Sequence, residues 1–107
     1  MEVADEYLEE MRAISPDPTV KEAGGLTYIH LPRITAPNGT VMGALLCLQG
    51  RDGYLTRLFL SEPVPGKGNN WTAHQILDKT WHTWSWNHVE ANQRPMEIFA
   101  AHMKALR

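Results

Sequence analysis

Residues 41–48 read Val-Met-Gly-Ala-Leu-Leu-Cys-Leu, and neither alternation carries a polar side chain. Side chains of a strand point to opposite faces in turn, so a run without a polar face is that of a strand covered on both sides. The run extends to Gln49 and meets a turn signal, Gly50-Arg51-Asp52-Gly53. Residues 54–60, Tyr-Leu-Thr-Arg-Leu-Phe-Leu, are again strand formers. The spacing predicts a hairpin over 41–60.

Elements on either side of the hairpin follow from periodicity and breakers. Val3, Tyr7, Leu8, Met11 and Ile14 recur at helical spacing over 2–14, with Glu2, Asp5, Glu6, Glu9 and Glu10 mostly opposite. That acidic side reads as a solvated helix face or, less simply, as a docking surface for a basic partner. Ser15-Pro16-Asp17-Pro18 stops the helix, since proline lacks the amide donor. After 19–22, Ala23-Gly24-Gly25 marks a turn, and 26–31 is a strand that Pro32 ends or places on an edge. Ala36-Pro37-Asn38-Gly39 is a further turn. Residues 62–70 hold two prolines and two glycines and read as a long loop, either bordering a functional surface or making a plain excursion. Residues 72–77 have the look of a short helical turn. From Ile76 the pattern alternates as a strand, placing Trp81 opposite Trp84 and Trp86. Residues 95–107 close the chain as a helix with Met96, Phe99, Ala100, Met103 and Leu106 on one face and Lys104 and Arg107 near its end.

Helix, three or four strands, an irregular segment and a helix make an α+β domain. The expected fold is a mainly antiparallel three- to four-stranded meander flanked by an N-terminal and a C-terminal helix, with the helices on one sheet face. At 107 residues, 43% hydrophobic and 21% charged, the whole chain 1–107 has the size and composition of one globular domain. A net charge of −2 gives no strong electrostatic footprint for nucleic acid or an anionic membrane, though a local basic patch is compatible with it. The one cysteine, Cys47, allows no intrachain disulfide and suits a reducing compartment. The acidic start, Met1-Glu2-Val3-Ala4-Asp5-Glu6, lacks the features of a signal peptide, and no apolar run approaches the ~20 residues of a membrane span. A cytoplasmic location is expected.

Chemistry concentrates in Trp81-His82-Thr83-Trp84-Ser85-Trp86-Asn87-His88, which holds three of the four tryptophans and two of the five histidines. A small domain needs some of these rings as core, so Trp81 and Trp84 are expected buried, while Trp71 and Trp86 are the candidates for binding. His82 and His88 are the candidate catalytic residues, because imidazole titrates near neutrality, with Asp78 and Glu90 as orienting acids. An ordinary hydrogen-bonded histidine beside a tryptophan is the competing reading. Cys47, among Ala44, Leu45, Leu46 and Leu48, is a poor nucleophile, because apolar surroundings favour the neutral thiol. His30, His74, His82, His88 and His102 show no HxxxH spacing, so no metal site is expected. Gly66-Lys67-Gly68 lacks the GxxxxGK[ST] spacing of a phosphate loop, and no cofactor is expected.

The order of elements and the 81–88 segment resemble small prokaryotic proteins related to the ubiquitin-conjugating-enzyme fold, found beside ubiquitin-like modifiers and ThiF-like activating enzymes. The likeness rests on a leading helix followed by a strand meander, on the tryptophan-, serine- and histidine-rich stretch, and on a final helix ending Ala101-His102-Met103-Lys104-Ala105-Leu106-Arg107. It implies a ubiquitin-like protein or a ThiF-like enzyme as partner and places His82 or His88 near the position of the family's thioester cysteine. No cysteine lies in 62–87 and there is no His-Pro-Asn tripeptide, so the expected role is a carrier or partner-binding protein in a bacterial ubiquitin-like pathway. The alternatives are a small histidine-dependent enzyme with its site near His82 and His88, and a tryptophan-rich interaction module.

Overall fold

The apolar run forms an interior strand of a six-stranded antiparallel sheet. The structure, a computed structural model, describes residues 2–106. Among them the elements are α1 (Asp5–Met11), β1 (Thr19–Ala23), β2 (Leu26–Thr35), β3 (Val41–Cys47), β4 (Arg57–Leu60), β5 (Thr72–Ile76), β6 (Lys79–Thr83) and α2 (Pro95–Lys104). The sheet order is β1-β2-β3-β4-β6-β5. The α+β class is as expected, but six strands replace the expected three or four. The meander is also broken, because β4 pairs with β6 through Leu60 and His82, leaving β5 at the edge.

Register explains why the run has no polar face. Met42, Ala44 and Leu46 turn to the side that carries both helices, where Ile29, Leu31, Leu58 and Leu60 join Met11, Ile98, Phe99, Met103 and Leu106. Leu45 and Cys47 turn to the other side, with Tyr28, Phe59, Ile76 and Trp81. No helix covers that second cluster. The sheet covers it by curling. In a flat sheet β2 and β6, three strand spacings apart, would be about 14 Å from each other. Instead the rings of His30 and Trp81 meet edge-to-face at 6.0 Å.

Several expected boundaries shift for identifiable reasons. The first helix begins at Asp5, not at residue 2, and ends at Met11, followed by turns to Ile14. Pro32 does not end β2. It sits where the β2–β3 register slips between Leu31 and Ile34, a bulge that tolerates the missing amide. Residues 54–56 stay outside β4, because Arg51 and Tyr54 close a tight two-residue turn of their own. Residues 72–76 are strand, not a helical turn. The alternation from Ile76 is likewise not one strand: Leu77 and Asp78, at φ 53° and 61°, reverse the chain into a hairpin. In α2 the buried stripe is Pro95, Ile98, Phe99, His102 and Met103, and Leu106, just past the helix, is buried with them. Ala100, expected on that face, is exposed. Arg107, expected near the end of this helix, lies outside the described residues.

The 62–70 loop is held by the tryptophans it precedes. Trp71 Nε1 donates to Lys67 O at 2.6 Å, its ring meets Trp84 at 5.1 Å, and Ser85 N donates to Asn69 O at 2.8 Å. Gly68, at φ +69°, lies so close that an added Cβ would fall 3.1 Å from Trp84 Cγ and from Trp71 Nε1. Gly66-Lys67-Gly68 thus seats two indoles. No helix of the described residues is long and apolar enough to cross a membrane.

Candidate functional site

Residues 84–89 leave the sheet after β6 and cross to α2 without strand partners; Trp84 and Val89 turn into the core, and the side chains of residues 85–88 are left to line a surface. Besides the Ser85–Asn69 bond, three hydrogen bonds hold the segment. Asn87 Nδ2 donates to Gly53 O at 3.5 Å, His88 N donates to Asn87 Oδ1 at 2.8 Å, and Thr56 Oγ1 donates to Val89 O at 2.9 Å. His88 takes a left-handed φ of 67° between the last two anchors. Across from this segment stands the turn Arg51-Asp52-Gly53-Tyr54. Asp52 and Gly53 have φ of 53° and 85°, and Arg51 and Tyr54 exchange two backbone hydrogen bonds of 3.0 Å. Asp-Gly favours this tight turn because both central positions require positive φ.

Segment, turn and the end of α2 enclose an open cleft of about 850 Å³. Asp52, Tyr54, Ser85, Trp86, His88 and Lys104 supply its functional groups. Trp86 is 43% exposed, an unusual state for so large an apolar ring. The cleft therefore offers an accessible indole and a phenol, ringed by an imidazole, an ammonium, a carboxylate and a hydroxyl. An apolar anchor inside a polar rim is the anatomy of a protein-binding hot spot.

The Tyr54 wall is set from behind. The Arg57 guanidinium lies 3.9 Å from the Tyr54 ring centroid and donates from Nη1 to Asp52 Oδ2 at 3.4 Å. Arg57 is buried, and its Nε has no partner among the described residues. Arg51 Nε also lies 3.4 Å from the same Asp52 oxygen. One carboxylate thus serves two guanidinium groups. His74 Nδ1 lies 4.0 Å from Asp52, but burial and then the charges of Arg57 and Arg51 push its pKa down, so the ring is neutral at pH 7.

The segment's far end rests on His102. Burial, aided by the charge of Arg57, pushes this imidazole down to about 4. Its Nε2 lies 2.9 Å from Thr56 Oγ1, and its ring meets Trp84 edge-to-face. The Nε1 of Trp84 is buried without a hydrogen-bond partner among the described residues.

The structure brings Trp86 and His88 together in the cleft and leaves the other named residues elsewhere. His82 is on β6, opposite Leu60 and Ala73, and does not line the cleft. Asp78 is in the β5–β6 turn and Glu90 is exposed. Among the described residues neither hydrogen bonds nor ion pairs join His82 or His88 to an acid. Trp71 is half-buried against the helix-side core, with its indole N–H engaged, so it is not a free surface ring. Trp81 and Trp84 are buried, on opposite faces. Cys47 is fully buried beside Tyr28 and Arg57 in the register, its Sγ donates to Gln49 O at 3.3 Å, and burial pushes its pKa up. Among the described residues no three His, Cys, Asp or Glu side chains converge as a metal would need. Sequence reasoning missed Asp52, Tyr54, Arg57 and Lys104. Only the Asp52-Gly53 turn signal pointed to any of them.

The chain matches no protein-family model, no curated protein and no solved structure.

Proposed function

We propose that this is a ubiquitin-conjugating-enzyme-like domain that binds a partner without carrying a thioester. Its partner is a ubiquitin-like protein or a ThiF-like activating enzyme of a bacterial modification pathway. The observation that carries the reading is Trp86, half-exposed over a cleft whose rim is polar and which contains no thiol. The leading helix, the antiparallel strands and the Trp81–His88 stretch running into the last helix supply the order of elements on which the resemblance rests. Cys47 supports the non-catalytic half of the reading, because a buried thiol with a raised pKa is a poor nucleophile and its position inside the sheet bars a bulky acyl group.

The test is a titration of the protein with a ubiquitin-like protein and a ThiF-like enzyme from the same organism. The expected result is a saturable complex with one of them, weakened at least tenfold by Trp86→Ala, with only a small fall in Tm because the ring is half-exposed. Cys47→Ser should leave affinity intact. No complex with either protein, or a complex indifferent to Trp86, would overturn the proposal.

A further inference from the structure

A second concavity lies on the sheet face that no helix covers, and it shares no lining residue with the cleft. Lys21 of β1, His30 of β2, Leu77 of the β5–β6 turn, and Lys79 and Trp81 of β6 enclose about 320 Å³. The curl of the sheet brings these distant strands together. Lys79 Nζ sits 5.0 Å from the Trp81 ring centroid, and His30 closes the same ring edge-on. Among the described residues neither Lys21 nor Lys79 has a carboxylate within ion-pair distance. Both ammonium groups act on His30, lowering its pKa after the larger effect of burial, which marks them as converging on one spot.

The lip of this pocket is strained. Leu77 is 43% exposed and takes φ 53° at the first central position of a two-residue hairpin turn. Asn and Gly suit that position. A leucine there carries the left-handed penalty and adds nothing to the core. Folding alone would favour another residue, whereas a site for an apolar group would use this one.

We propose that the pocket binds a small organic anion whose acidic group is attached to a flat apolar body. The acid lies between Lys21 and Lys79. The body lies against Leu77 and the partly exposed His30 ring, with Trp81 buried beneath them as the floor. The volume is at the lower end of the range for small-ligand sites, about 300–1,000 Å³, which favours a single ring with one acidic substituent over a macromolecule.

Phenyl phosphate is the probe, followed through the backbone amides of 77–81 and the Trp81 indole N–H in nitrogen–proton spectra. Saturable shifts confined to this region are expected, with affinity at least tenfold above that of inorganic phosphate. The K21Q/K79Q variant should weaken binding at least tenfold. L77N should weaken it about threefold while raising Tm, since the turn strain is relieved. No saturation, equal affinity for inorganic phosphate, or unchanged binding by K21Q/K79Q would overturn the proposal. So would a lower Tm for L77N, which would make Leu77 structural. Shifts produced by the acidic peptide Asp-Glu-Phe-Asp-Glu but not by phenyl phosphate would also overturn it, in favour of a protein ligand.

Discussion

His102 Nε2 lies 2.9 Å from Thr56 Oγ1, and that hydroxyl passes its only proton to Val89 O at 2.9 Å. The imidazole must therefore donate from Nε2, which defines its neutral tautomer. This relay ties α2 to the segment that lines the cleft. The folded pKa is about 4 against an ordinary 6.5, so the unfolded chain takes up the proton first as pH falls. Stability from this group is full above pH 6.5, declines between 6.5 and 4, and changes no further below. The whole decline is on the order of 3 kcal/mol. His30 and His74 are lowered too and add in the same direction. His102→Gln, which keeps a donor but does not titrate, isolates the contribution. Urea unfolding of both proteins at pH 7, 5.5 and 4 should show a shallower pH slope for the variant, and parallel slopes would remove His102 from the account.

Asp52 holds a buried cation in place, and through it the Tyr54 wall of the cleft. Asp52→Asn leaves Arg57 charged, buried and short of its counter-ion, and should destabilise by about 2 kcal/mol. Removing both charges with Asp52→Asn and Arg57→Met should cost less than the sum of the single changes, because the double variant leaves no orphaned charge. A double-mutant cycle by urea denaturation measures the difference. Additive losses would mean that the 3.4 Å contact contributes nothing.

How far the sequence could be read depended on whether the signal was local. The 41–48 run announced an interior strand, and Trp81 and Trp84 were readable as core on opposite faces, because alternation is a short-range pattern. The break of 72–83 into a hairpin was not readable, because its turn is Leu77-Asp78, where a leucine stands at the position that Asn or Gly usually takes and Asp78 has no glycine after it. The stripe of α2 was misplaced because His102 looks polar, and its burial is accommodated by Thr56, 46 positions away, which accepts a hydrogen bond from its Nε2. The cleft joins residues 52–54, 85–89 and 101–104, and no window of sequence contains such a set. The basic pocket was hidden by a net charge of −2, since the acids cluster on α1 while Lys21 and Lys79 face the other way.

Cys47 donates to Gln49 O from a fully buried position, and burial raises its pKa. A thiol reagent can reach it only when the sheet opens. At pH 8 the native protein should react with a disulfide reagent at least about a hundredfold more slowly than the same protein in urea, given that opening of core strands approaches the global unfolding free energy. Equal rates would place the thiol at the surface.

Gly68 offers the sharpest check on the tryptophan packing. An alanine there meets Trp84 and Trp71 at 3.1 Å on a backbone of φ +69°, so strain and overpacking act together. Gly66, at φ +75°, has nothing within 4 Å of an added Cβ and isolates the backbone effect. Gly66→Ala should cost about 1 kcal/mol, and Gly68→Ala about 2–4 kcal/mol, the excess being the displacement of two indoles. Near-ultraviolet circular dichroism distinguishes the causes, because only Gly68→Ala should change the signal of the Trp71–Trp84 pair. If both variants lost the same stability and kept the same spectrum, the loop would not seat the indoles, and the 62–70 segment would be a surface excursion after all.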